Sequence, residues 1–197
     1  MSEARSYPRR VTTDAGEIEF RLMSRADEDA VLDFARKLPT HDLLFLPRNI
    51  SEPKVLTAWI NEIERGAITS LLAAKEGRVV GCGTLVRDLH SWSPHLGELR
   101  MVVSMDVRGQ GVGRALSQET FLLALGAGLE KFSVQMTVDQ RAAIALFESM
   151  GFKAEALLRD HVRDVDGKKH DIVVLGHNIS QFAAQLEAFG LPEAVQP

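Results

Sequence analysis

Between a stretch that reads as a strand and one that reads as a helix lies Arg108-Gly109-Gln110-Gly111-Val112-Gly113. Glycine tolerates positive φ and lets the backbone come close to a neighbour or ligand. At such a junction the first N–H groups of the helix converge on one point, and the helix dipole favours an anion there. Arg108 and Arg114 add positive charge on either side. A diphosphate suits this cradle; the alternative is a glycine-rich turn into a helix with no ligand. Two diphosphate signatures are excluded. The dinucleotide fingerprint needs a third glycine three residues after the second, and those places hold Arg114 or Leu116. The P-loop pattern, which ends in Gly-Lys-Ser/Thr, is absent.

Around this loop the chain alternates between two periodicities. Ile18, Phe20 and Leu22 alternate with polar neighbours and predict a strand over 17–23. Ser24 or Asp27 caps a helix carrying Ala30, Val31, Phe34, Ala35 and Leu38, which Pro39 ends. Residues 43–50 are apolar but broken by Pro47, and read as a loop. Ser51 caps a second helix with Pro53 in its first turn and Val55, Leu56, Trp59, Ile60 and Ile63 on one side. Strands over 68–74 and 78–86 join through Glu76-Gly77, and another strand spans 98–105. A helix over 111–129 follows the loop. Phe132, Val134, Met136 and Val138 alternate strictly, the clearest strand pattern of the chain. A helix over 141–150 and two strands about Asp166-Gly167 complete the order. The result is an α/β (α+β) pattern of about seven strands and about four helices around a single mixed sheet. Residues 1–15, polar and containing Pro8 and Asp14-Ala15-Gly16, read as a flexible arm. Residues 16–178 read as the folded domain, and 179–197 as a C-terminal helix and tail.

The chain has 197 residues and a net charge of −4, with 45% hydrophobic and 25% charged residues. That balance disfavours a role in nucleic-acid binding, which needs clustered Lys and Arg. No apolar stretch is long enough to span a bilayer, and the N-terminus shows no signal-peptide pattern. Cys82 is the only cysteine, so no internal disulfide forms. These features fit a cytoplasmic protein away from membranes.

A wider pattern encloses the loop. Leu99 and Val103 precede it as Leu-x-x-x-Val. Arg108, Gly111 and Gly113 match Arg/Gln-x-x-Gly-x-Gly/Ala. Gln140, Ala143, Leu146, Phe147, Gly151 and Phe152 follow the spacing Asn-x-x-Ala-x-x-Leu-Tyr-x-x-x-Gly-Phe. On these residues, and on the element order, residues 17–176 resemble the GNAT superfamily of acyl-CoA-dependent N-acyltransferases. The resemblance implies a sheet with two neighbouring strands splayed into a cleft for acetyl-CoA, with no metal. It implies that backbone groups of Met101, Val102 and Val103 bind the pantetheine arm, one N–H near Val103 polarising the thioester carbonyl. It implies that Arg108, Gly109, Gln110, Gly111, Val112, Gly113 and Arg114 hold the pyrophosphate. Gln140 then contacts the cofactor, and Ala143 and Phe147 pack beside its thiol. The region between the first two helices, with Leu44, Phe45, Leu46 and Arg48, walls the acceptor site. A homodimer is a further expectation by analogy.

Three positions depart from the family pattern. Met105 stands for a frequent Pro, Gln140 for Asn, and Phe147 for the Tyr that often protonates the departing thiolate. The only tyrosine is Tyr7, which reaches the cleft only if the arm folds over it. Glu98, early in the strand before the loop, is the first candidate for a base; pairing with Arg100 is its structural alternative. Asp88, His90 and His95 are weaker candidates. His161, His170 and Asp171 lie in the last two strands at no metal-ligand spacing. Cys82, between glycines in a strand, is expected to be packed rather than nucleophilic. The implied function is transfer of an acetyl or acyl group to a primary amine, of a small molecule or a protein. The alternative is a non-catalytic acyl-CoA-binding module.

Overall fold

The computed structural model describes residues 6–179. The alternation at Ile18 and Phe20 does build a strand, β2 (Gly16–Leu22), but β1 (Arg9–Thr13) precedes it. The expected loose arm is thus a hairpin over much of its length, with β1 antiparallel to β2 from Arg9↔Phe20 to Thr13↔Gly16. Asp14-Ala15-Gly16 is its turn, with Gly16 at φ +98. Arg10 reaches both Glu17 and Glu19 across the ladder, at 3.2 and 3.4 Å, and Val11 and Tyr7 pack on the core. Cross-strand charge pairing and a turn glycine carried this strand, where apolar alternation was weak.

Then follow α1 (Glu28–Arg36), α2 (Pro53–Glu64), β3 (Ile68–Lys75), β4 (Arg78–Arg87), β5 (Leu96–Val103) and α3 (Val112–Leu125). The chain continues through β6 (Lys131–Thr137), α4 (Arg141–Ser149), β7 (Lys153–Arg163) and β8 (Lys169–Asn178). Ser24 and Asp27 act together before α1, the Ser24 N–H donating to Asp27 Oδ2 at 2.9 Å. Ser51 does not cap α2. Glu52 is the N-cap, and the Ser51 hydroxyl donates instead to Asn49 Oδ1 at 2.7 Å. The helix expected over 179–197 lies outside the described residues, apart from Ile179.

The eight strands form one sheet in the order β1-β2-β3-β4-β5-β6-β8-β7. Helices α1 and α2 cover one face, where Val31, Phe34, Leu56 and Ile60 meet Leu72, Cys82 and Val102. Helices α3 and α4 cover the other, where Ala124 and Phe147 meet Leu85, Leu99, Phe132 and Val134. Each fully buried side chain of this size contributes roughly 1.5–3 kcal/mol. Helix α3 lies so close to β4 that a Cβ at Gly83 would come within 2.1 Å of Thr120 Oγ1. That approach explains the glycines around Cys82.

Among the described residues only β5 and β6 run parallel. Their ladder covers Leu96↔Lys131 to Leu99↔Val134 and stops there. Yet β5 continues to Val103 and β6 to Thr137. Beyond Leu99 and Val134 the two strands splay apart. The helices that leave their C-terminal ends, α3 and α4, begin at the two sides of this gap. A crevice at the carboxyl ends of adjacent parallel strands is where α/β sheets bind ligands.

Candidate active site

The gap opens into a cleft of about 680 Å³. Its closed end is apolar, lined by Leu99, Met101, Val134, Met136, Ala143 and Phe147. Its open end carries Asp14, Asp42, Arg108, Arg114, Asp139 and Arg141 with Gly109, Gly111 and Gly113. Gly111 is the N-cap of α3 at φ +80, and no side chain caps this helix. The N–H groups of its first turn, Val112 to Arg114, therefore lack the intrahelical acceptors that later residues have. Side chains occupy both strand ends. Arg108 donates to the carbonyl of Val103 from Nε at 3.2 Å and Nη2 at 2.9 Å. The N–H of Thr137 donates to Gln140 Oε1 at 3.3 Å. Splayed edges need such partners, because an unmet backbone group is costly away from water.

The 3-10 turn Thr40–Leu43, in the connection between α1 and α2, touches both lips of the cleft. Asp42 pairs with Arg108 at 2.8 Å. His41 Nε2 lies 2.8 Å from Asp139 Oδ2, and its ring meets that of His170 edge-on at 5.0 Å. Burial opposes ionisation of Asp139, but hydrogen bonds from Thr137 and its own backbone, with the His41 ring beside it, hold its carboxyl below the usual range. His170 is held in turn by Asp164 at 2.7 Å, whereas Asp171 accepts from the Asp160 N–H. The sequence pattern pointed to neither His41, Asp42, Asp139 nor Asp14. Only Arg141 had a signal, as the first residue of a helix facing the gap.

Most residues singled out from sequence do line this cleft, including Met101, Val102, Val103, Arg114, Gln140, Ala143 and Phe147. Two do so at most through their backbone. Gln110 turns its amide to the carbonyl of Asp106 at 2.9 Å, and Val112 is fully buried in the core. Phe45 joins the cleft wall, while Leu44 lines no part of it. A second cavity of about 320 Å³ lies on the α2 side of β5. Arg48, Leu46, Trp59 and Arg100 line it, and it shares Met101 and Val102 with the lining of the first cleft.

With this geometry the chain can be set beside known proteins. The model of the acetyltransferase (GNAT) family matches residues 32–152, spanning the cleft-forming strands, the glycine loop and α4. The chain belongs to the GNAT family of acetyltransferases. An IAA acetyltransferase of Azospirillum brasilense is 36% identical over 86 residues, which are 43% of this chain and 54% of that protein. The chain thus spans about half the length of that relative. N-alpha-acetyltransferase 30 of Schizosaccharomyces pombe is 22% identical over 64% of this chain and 85% of its own. Among solved structures, yncA of Salmonella typhimurium with its cofactor acetyl-CoA superposes with a TM-score of 0.70 at 18% identity. It covers 91% of this chain and 97% of its own. That last likeness is one of fold.

The GNAT cleft here has distinctive chemistry at its closed end. Phe147 is buried against Phe152, ring centroids 5.2 Å apart, and offers no proton. Tyr7 does not replace it, because its hydroxyl bonds to Glu119 on α3, at 3.2 Å to the carboxylate. Glu98 lies one residue before the last rung of the β5–β6 ladder, opposite Ser133. Both its oxygens accept from Arg100, at 2.8 and 2.9 Å. The β4–β5 ladder runs without a register shift, so no bulge redirects it. Asp88, His90 and His95 sit before β5, at the end of the strand away from the cleft mouth. Cys82 is buried, and burial pushes its thiol up to about 12, so it stays protonated and packed. Among the described residues no group of three His, Cys, Asp or Glu side chains is placed to hold a metal ion. No helix among them is long and apolar enough to cross a membrane.

Proposed function

We propose that the chain transfers an acetyl group from acetyl-CoA to a primary amine, by direct attack within a ternary complex. One observation carries this reading: the β5–β6 gap has uncapped helix N–H groups at its mouth and an apolar closed end. A diphosphate and a thioester on one flexible arm match those two ends. The residues fit the cosubstrate. Backbone N–H groups from Gly109 to Arg114, with Arg108, Arg114 and Arg141, hold the pyrophosphate. Met101 to Val103 bond the pantetheine arm. An N–H near Val103 polarises the thioester carbonyl, stabilising the oxyanion that forms on attack. The amine nitrogen bonds to the acyl carbon, the C–S bond breaks, and the thiolate takes a proton from water. A thiol of pKa ~8.5 is an adequate leaving group at neutral pH.

The amine must first lose a proton, since a lysine-type amine of pKa ~10.4 is mostly charged at pH 7. Glu98 is the carboxylate on the α2 side of β5. Because Arg100 holds both its oxygens, it takes this proton through water rather than by contact. Glu98→Gln is expected to lower kcat/KM by roughly 10²-fold, in the range general bases contribute, and to remove the acidic limb of the pH profile. An unchanged profile would end the assignment. Phe147 favours a second reading, a non-catalytic acyl-CoA-binding module. Release of free thiol from acetyl-CoA across a panel of amines and peptides separates the two. Turnover with any acceptor supports the transferase; calorimetric binding of CoA with no turnover supports the module. The single cysteine, kept as a thiol, fits a cytoplasmic site of action.

A further inference from the structure

We infer that the acceptor is an amino acid with an apolar body: a primary amine, an apolar side group that enters the second cavity, and a carboxylate at its rim. This rests on the transferase reading, and names the substrate class of the same site.

Four observations lead to it. The second cavity shares only Met101 and Val102 with the lining of the cleft, where the thioester arm is expected to run. A guest seated there presents its amine to the acyl carbon across β5. Second, the cavity holds about 320 Å³, at the small end of ligand sites. It admits one side group rather than a folded peptide or an oligosaccharide. Third, its walls are mostly apolar, from Leu46, Ile50, Val55, Ala58 and Trp59, with Arg48, Glu62 and Arg100 as the charged exceptions. Its polar floor is satisfied internally: Trp59 Nε1 donates to Ser70 Oγ at 3.1 Å, Ser70 meets Thr84 at 3.1 Å, and Thr84 meets the Cys82 thiol at 3.7 Å. A charged or hydroxylated group pushed inside would lose its water without compensation.

Fourth, the charges around the cavity are cancelled except one. Arg100 is neutralised by Glu98 at 2.8 Å. Glu62 is held by Arg65 at 2.7 Å. Arg48 has no ion-pair partner among the described residues and stands exposed in the cavity lining. An unpaired guanidinium beside an apolar hole suits a carboxylate, to which it offers a fork of parallel donors. The same charge repels a polyamine.

The test is steady-state release of free thiol at saturating acetyl-CoA. The acceptors are L-leucine, L-methionine and L-phenylalanine, their carboxamides, spermidine, and a short peptide with a free N-terminus. The expected result is a kcat/KM at least tenfold higher for the acids than for their amides. Arg48→Gln should abolish that difference by raising KM for the acids alone. Ala58→Trp, which fills the cavity, should raise KM for L-phenylalanine at least tenfold while leaving KM for acetyl-CoA unchanged. Equal rates for acids and amides, or preference for spermidine or the peptide, would overturn the inference. So would calorimetric binding of acetyl-CoA without turnover of any of these acceptors. Failure to bind acetyl-CoA at all would instead overturn the transferase reading beneath it.

Discussion

Phe147 shows how one side chain sets the chemistry of a cleft. It lines the closed end beside Ala143, with its ring against Phe152, and no titratable group lines that end. If the thiolate leaves unaided, a phenol placed there should help. Phe147→Tyr is expected to raise kcat by roughly tenfold or more, toward the 10²–10⁴-fold typical of a general acid. Saturating kinetics, with a melting curve to detect overpacking, checks it. His177 belongs to the same aromatic cluster, stacked on Phe121 at 5.3 Å. Burial lowers its pKa. The unfolded chain therefore takes up the proton first as pH falls. Stability is complete above the unfolded value near 6.5 and is lost as pH drops below it. Melting temperature should accordingly fall between pH 7 and pH 5.5, and His177→Phe should flatten that dependence.

At the scale of elements, the turn Thr40–Leu43 ties the two lips of the cleft together through Arg108–Asp42 and His41–Asp139. The Asp42 carboxylate stands beside the proposed diphosphate cradle and occupies its arginine. A bound diphosphate competes with it for Arg108. Asp42→Asn should therefore lower KM for acetyl-CoA, by up to about fivefold, since an exposed pair of this kind is worth about 0–1 kcal/mol. Initial rates against acetyl-CoA concentration measure this. An unchanged or raised KM would mean that Arg108 serves the strand end at Val103 and not the ligand.

For the whole molecule, the weak seam is β5–β6. Five antiparallel strands stand on one side and three on the other, joined by a short parallel ladder that ends at Leu99 and Val134. A ligand seated in the gap touches both halves and binds only the folded chain. Acetyl-CoA at a hundredfold excess over its Kd should add about 2.7 kcal/mol. At roughly 2–4 °C per kcal/mol for a chain of this size, the melting temperature should rise by about 5–10 °C. NAD should produce no shift. A thermal melt with each ligand decides it.

Much of this molecule was legible in the amino-acid sequence. Alternation marked β2 and β6, helical spacing marked α1 to α3, and the glycines between β5 and α3 marked the entry to that helix, because these signals reside in neighbouring residues. The hairpin β1–β2 was missed because its support is cross-strand, from Arg10 to Glu17 and Glu19. The pairing of Glu98 with Arg100 was visible two residues apart; only the folded structure engages both carboxylate oxygens. The acidic groups at the lips of the cleft were not legible at all. Asp14, Asp42 and Asp139 come from three distant turns, and nothing local in any of them signals a shared opening. The sequence alone determined most of the elements and the glycine-rich entry to α3, since backbone preference and periodicity act over a few residues. Tertiary structure alone decided where β5 and β6 part, what seals their ends, and that a second cavity shares Met101 and Val102 with the first. Those are properties of contacts made between segments far apart in the chain.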